Sequence, residues 1–169
     1  RGVPLVELTT VNKVSHWTDS GGLIAFYEPG LMGEKVFFHV RGHGYEFPKD
    51  GFGNRGTNLL VTSGGTAELQ LKRLNIAERL YRVTGGGIYR DTVLAGRNPP
   101  IKEPLLNGQV TGQDSARAGP FNGKLYWFWG DTLQLRYPLG LFSAAGATAP
   151  LPGQGLDPAK GIDLTYFIG

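Results

Sequence analysis

The sequence predicts an all-β chain, and three observations predict it. Glycine occurs 27 times and proline 11 times in 169 residues, while charged side chains make up only 18%. That balance suits many short extended segments joined by tight turns and leaves little room for long helices. Short apolar stretches alternate with clusters of Gly, Pro, Asn, Asp and Ser through the first half of the chain, the usual punctuation of strands. Finally, Asn122-Gly123 precedes Lys124, Leu125, Tyr126, Trp127, Phe128 and Trp129. Asn-Gly tolerates φ > 0 at both central positions of a two-residue turn, so residues 124–129 read as the returning strand of a hairpin.

Taken in order, residues 5–11, 23–27, 35–40, 58–62 and 67–73 read as strands, separated by turn clusters at 18–22 (TDSGG), 28–33 (EPGLMG), 47–56 (FPKDGFGNRG) and 63–65 (SGG). In the first cluster Asp19 can cap the turn through nearby backbone, and Gly21 or Gly22 can supply a left-handed φ. Strands this short at this spacing predict a β-sandwich. Residues 75–83 (NIAERLYRV) fit either a helix face, through Ile76, Leu80 and Val83, or an extended strand. The run TGGG at 84–87 breaks the pattern, giving domains 1–84 and 85–169. Beyond it come a short strand ending in Gln113-Asp114-Ser115, the aromatic hairpin, a Gly- and Pro-rich stretch at 140–160, and a last strand at 162–168.

On the aromatic strand, Leu125, Trp127 and Trp129 share one face, while Tyr126 and Phe128 share the other. Both faces are apolar, so the strand expects protein above and below it. Burying four such rings is worth on the order of 15 to 25 kcal/mol before entropy costs. Tyr126 and Phe128 read as core, because aromatic stripes are core more often than ligand platforms.

Several function classes are not expected. The net charge is +3 and the basic residues are scattered. The densest basic run (Lys72, Arg73, Arg79, Arg82) is interleaved with Leu71, Leu74, Leu80 and Tyr81, as on a solvated strand face, so no nucleic-acid partner is expected. There is no cysteine, hence no disulfide or thiolate site. His39 and His43 are four apart but straddle a strand and a glycine turn, which points their rings apart, so no metal is expected. GGGIYR lacks the flanking strand and helix of a dinucleotide loop, no Ser-His-Asp arrangement stands out, and no cofactor is expected. No apolar run is long enough for a membrane span. The chain starts at Arg1 rather than methionine and reads as a processed or excised piece, with any export signal out of view.

Two resemblances extend this reading. Thr18, Asp19, Gly21, Phe26, Pro29, Gly30 and residues 36–40 carry a pattern that resembles the transthyretin-like sandwich of carboxypeptidase regulatory domains: an acid-Ser-Gly turn, a strand ending in an aromatic, and a Pro-Gly loop before the next strand. Such modules brace or present a neighbour. Farther on, GIYRD at 87–91, GQDS at 112–115 and GKLYWFWGDT at 123–132 resemble the opening blade of a five-bladed β-propeller glycoside hydrolase. The resemblance implies a β-sandwich followed by the first blade or blades of a propeller, with blades covering the aromatic strand on both faces.

In the resembling enzymes an aspartate early in the first blade is the general base or orients it, and Asp114 matches that position. An inverting hydrolysis needs a second carboxyl about 6.5 to 9.5 Å away, which that family takes from a later blade. Asp131, Asp157 and Asp163 stand in no matching context, so the resemblance implies a pair completed by another chain or segment. Trp127 and Trp129 are the expected sugar platforms, with Gln113 and Asp131 as hydroxyl-binding candidates; Asp131 also fits a plain Asx-type turn with Thr132. The expected partners are a polysaccharide or oligosaccharide and a chain completing the propeller, in an extracellular or periplasmic setting. The alternative is a non-catalytic extracellular structural or adhesive module.

Overall fold

The computed structural model describes residues 1–136 and 144–167. The protein is predominantly β, with several antiparallel sheets, as its composition predicts. It divides into two compact units, Arg1–Arg79 and Leu80–Gly169, where the sequence reading placed a boundary at 84–87.

The first unit contains β1 (Glu7–Thr10), β2 (Ser15–Trp17), β3 (Lys35–Arg41), β4 (Tyr45–Glu46), β5 (Gly56–Leu60) and β6 (Lys72–Arg73). Its main sheet runs β2-β1-β3-β5, and β4 pairs with β6 in a separate ribbon. Alternation along β3 is the organising feature. Phe38 and Val40 are each 1% exposed, whereas Phe37 and His39 stand on the opposite face and meet edge to face at 5.0 Å. Opposite His39, β5 supplies Gly56. A Cβ there would lie 2.3 Å from the Phe38 carbonyl oxygen and 2.6 Å from Phe37 Cζ, so only glycine lets the Phe37 ring cross the neighbouring strand.

Asp19 caps its turn as expected: its Oδ1 accepts from Gly21 N (2.8 Å) and Leu23 N (3.2 Å). Gly22 takes the left-handed φ of +75°. Two expected strands are corrected. Residues 23–27 form no ladder; Phe26 instead stacks on His16 at 4.3 Å and meets Phe38 edge-on at 6.2 Å, so ring contacts hold the segment where backbone pairing was expected. The strand at 67–73 shortens to Lys72–Arg73, the only part that reaches Tyr45–Glu46. The ambiguous segment 75–83 is neither helix nor strand. Within it Arg79 spans back to the carbonyls of Pro4 (2.9 Å), Leu5 (3.2 Å) and His43 (3.1 Å), tying down backbone that no strand satisfies.

The second unit contains the short helix α1 (Arg90–Leu94), then β7 (Val110–Gln113), β8 (Arg117–Phe121), β9 (Lys124–Phe128), β10 (Thr132–Gln134), β11 (Gly146–Pro150) and β12 (Thr165–Tyr166). Strands β8 and β9 form the expected hairpin. Phe121 pairs with Lys124 across the turn, and Asn122 and Gly123 have φ of +43° and +75°, the twist-matched two-residue geometry. The hairpin joins a four-stranded antiparallel sheet in the order β8-β9-β11-β12, and β7 pairs with β10 separately.

Strand β11 was not expected, because Gly-Ala-Thr-Ala-Pro has little strand propensity. Its alanines explain its central place. Ala147 (0% exposed) and Ala149 (3%) keep the sheet surface low where Trp129, Trp127, Leu125 and Tyr166 pack over it with Leu164. Large rings on one strand interlock with small residues on the next. The last strand, expected at 162–168, comprises Thr165–Tyr166; Ile168 lies outside the described residues. Among the described residues no helix is long and apolar enough to cross a membrane.

Candidate functional site

The ends of β7 and β10 bring two of the sequence-predicted acids together. Beyond the Thr132–Gln113 pair, Asp114 N donates to the Asp131 carbonyl at 3.2 Å and Gly130 N donates to the Asp114 carbonyl at 3.1 Å. Asp114 and Asp131 are both exposed. Among the described residues neither carboxylate accepts a hydrogen bond; the turn is closed instead by Thr132 Oγ1, which donates to the Gly130 carbonyl at 3.3 Å. Glycine at 130 is what leaves room, since a Cβ there would lie 2.9 Å from Asp114 Oδ1. The turn after Asp114 is tight, with Ser115 at φ +52°.

Gln113 is committed to structure at both ends of its amide. Nε2 donates to Thr132 Oγ1 at 3.2 Å, and Oε1 accepts from Tyr166 Oη at 2.7 Å. Burial pushes the Tyr166 phenol up to about 12, because the phenolate would lose its hydration.

The two indoles lie on the packed face of the sheet. Trp129 is 4% exposed; it stacks on Trp127 with centroids 5.8 Å apart and planes 11° apart, and meets Tyr166 at 5.6 Å. Its ring faces are thus occupied by protein. Trp127 is half-buried, and its Nε1 is enclosed with no hydrogen-bond partner among the described residues, an omission that costs about 1–3 kcal/mol.

On the opposite face Phe128 is exposed and Tyr126 half-buried, where both were expected in the core. The strand registers place Arg117, Gly119 and Phe121 of β8 on the same face as Lys124, Tyr126 and Phe128 of β9, Gly146, Thr148 and Pro150 of β11, and Thr165 of β12. Phe167 follows on that side. Phe121 is 71% exposed, and Phe128 and Phe167 are each 55% exposed. Ring centroids run from Phe121 to Tyr126 at 5.9 Å and from Tyr126 to Phe167 at 6.2 Å. Small residues between them make the row possible: a Cβ at Gly146 would lie 2.6 Å from Phe167 Cδ2 and 3.4 Å from Phe128 Cδ1. Sequence reading identified the aromatic strand but not which side stays open. Phe121 and Phe167 carried no signal of their own, because only sheet pairing brings them beside Tyr126.

The first unit has a groove of about 510 Å³ beside Trp17, Tyr45, Arg41, Arg55 and Arg79. Its arginines are structural struts. Arg55 bonds the Phe47 carbonyl (2.8 Å) and pairs with Glu46 (2.9 Å), Arg41 pairs with Glu7 (3.6 Å), and Arg79 holds the carbonyls described above. A cavity in the second unit, beside Val83, Ile101, Asn107 and Tyr166, has about 10 Å³, room for one water. Among the described residues no group of three or more His, Asp or Glu is placed to hold a metal ion. Comparison with protein-family models, curated proteins and solved structures found no match.

Proposed function

We propose that the second unit binds polysaccharide on the open face of the β8-β9-β11-β12 sheet, as part of a carbohydrate-active assembly. One observation carries this reading: a row of rings, exposed Phe121 and Phe167 with half-buried Tyr126 between them and exposed Phe128 beside it, lies over a sheet lowered by glycine and threonine. Sugar rings present flat C–H faces that stack on aromatic rings, and a flat row suits an extended polymer better than a single small molecule. The four-stranded antiparallel order also suits a propeller blade, and the short antiparallel strands of the first unit suit a transthyretin-like sandwich. In a hydrolytic version of the assembly, Asp114 is the candidate acid, and its backbone pairing with Asp131 keeps a second carboxylate in the same turn.

A second reading, assembly with another protein layer, is favoured by the same exposed phenyl rings, since a blade face is ordinarily covered by its neighbour. Affinity electrophoresis through gels containing xylan, galactan or polygalacturonate separates the two. Retardation in at least one gel, weakened about tenfold or more in the Phe121→Ala/Phe128→Ala double variant, supports polysaccharide binding. An unretarded wild-type chain that self-associates through this face, and becomes monomeric in the double variant, sinks it in favour of assembly.

A further inference from the structure

We infer that the polymer fitting this face is anionic, a polysaccharide bearing uronate carboxylates at intervals along its length; the inference rests on the polysaccharide-binding reading of the same face. Two cations border the ring row, Arg117 directly across from Phe128 and Lys124 directly across from Phe121. Both are exposed, and neither forms an ion pair among the described residues.

The remaining described residues of the face are glycine, threonine, proline and the rings themselves. No carboxylate faces the ligand from any of the four strands. Lys124 and Arg117 stand at opposite ends of the patch, four residues apart along the β8-β9 register, or about 13 Å. A bound chain lying over the rings would therefore meet one positive charge at each end and no negative charge between.

Neutral polysaccharide gains nothing from this arrangement, whereas a polymer with spaced carboxylates gains an ion pair at each end of the stacked segment. The spacing also argues against single-stranded nucleic acid. A phosphate on every nucleotide is normally met by a continuous cationic groove, and this face offers two charges.

Polygalacturonate and its methyl ester share one backbone and differ in charge, so they form the test pair, with titration of the full chain followed by calorimetry or Tyr fluorescence. The expected result is binding of polygalacturonate that weakens about tenfold on methyl esterification and by a similar factor in high salt, where screening shortens to about 3 Å at 1 M. Arg117→Gln/Lys124→Gln is expected to bring the ratio of acid to ester affinity close to one. Equal wild-type binding of acid and ester, or an unchanged preference in the double variant, overturns the inference and leaves polysaccharide binding standing. Binding of neither polymer, with xylan and galactan also unbound, overturns both. Tighter binding of oligo-dT than of polygalacturonate overturns the inference in favour of nucleic acid.

Discussion

Tyr166 concentrates the chemistry of the second unit in one side chain. It packs against Trp129 (5.6 Å), donates to Gln113 Oε1 (2.7 Å) and is pushed up to about 12 by burial. In the unfolded chain a tyrosine ionises near pH 10. Below that pH both states keep the proton, and the folded state holds its full advantage. As pH rises from about 10 towards 12 the unfolded chain releases the proton first, so stability falls across that window. Thermal unfolding followed at several alkaline pH values should show this slope, and Tyr166→Phe should flatten it by about one proton. An unchanged slope in the variant would remove Tyr166 as its source. The opposite sign holds at Asp50, whose carboxyl is held below its usual range chiefly by the Asn54 backbone N–H, with Phe52 N–H and the Asn54 side chain adding to it; that contribution fades as pH falls through the acid range.

At the scale of elements, the β8-β9 turn is a local conformational device. Gly123 has φ +75°, and a Cβ added there meets nothing within 4 Å. Gly123→Ala therefore isolates backbone strain from packing, and is expected to cost about 1–2 kcal/mol. Gly119, on the partner strand of the same sheet, is equally open but does not adopt a left-handed φ. Gly119→Ala should be neutral or stabilise by up to about 1 kcal/mol. Chemical denaturation of the two variants checks the contrast, and equal effects would mean that the turn geometry is not what sets the cost. Pro120 acts on the same hairpin differently. Lying in edge strand β8, it removes one backbone donor and so blunts that edge against strand addition.

Across the whole molecule, each compact unit has buried residues of its own: Phe38 and Val40 in the first, Trp129, Ala147, Ala149 and Leu164 in the second. Calorimetry is therefore expected to resolve two transitions. Phe38→Ala should lower only one and Trp129→Ala only the other, each by about 3–5 kcal/mol of the affected unit's stability. A single transition shifted by both variants would show that the two cores melt as one. The groove of the first unit, with its arginines engaged in carbonyls and ion pairs, stabilises the loops around it.

What the sequence determined by itself is local. The strand at 35–40, the Asp19 turn and the Asn122-Gly123 hairpin were legible because turn chemistry and strand propensity depend on near neighbours. Tertiary structure alone decided which face of β9 is buried. Both faces carry large rings, and the choice falls to what lies opposite: Ala147 and Ala149 accept Trp127 and Trp129, leaving Tyr126 and Phe128 with Phe121 and Phe167 on the open side. The pairing of Asp114 with Asp131 and the insertion of β11 between β9 and β12 are likewise contacts between distant parts of the chain, which no short stretch of sequence encodes.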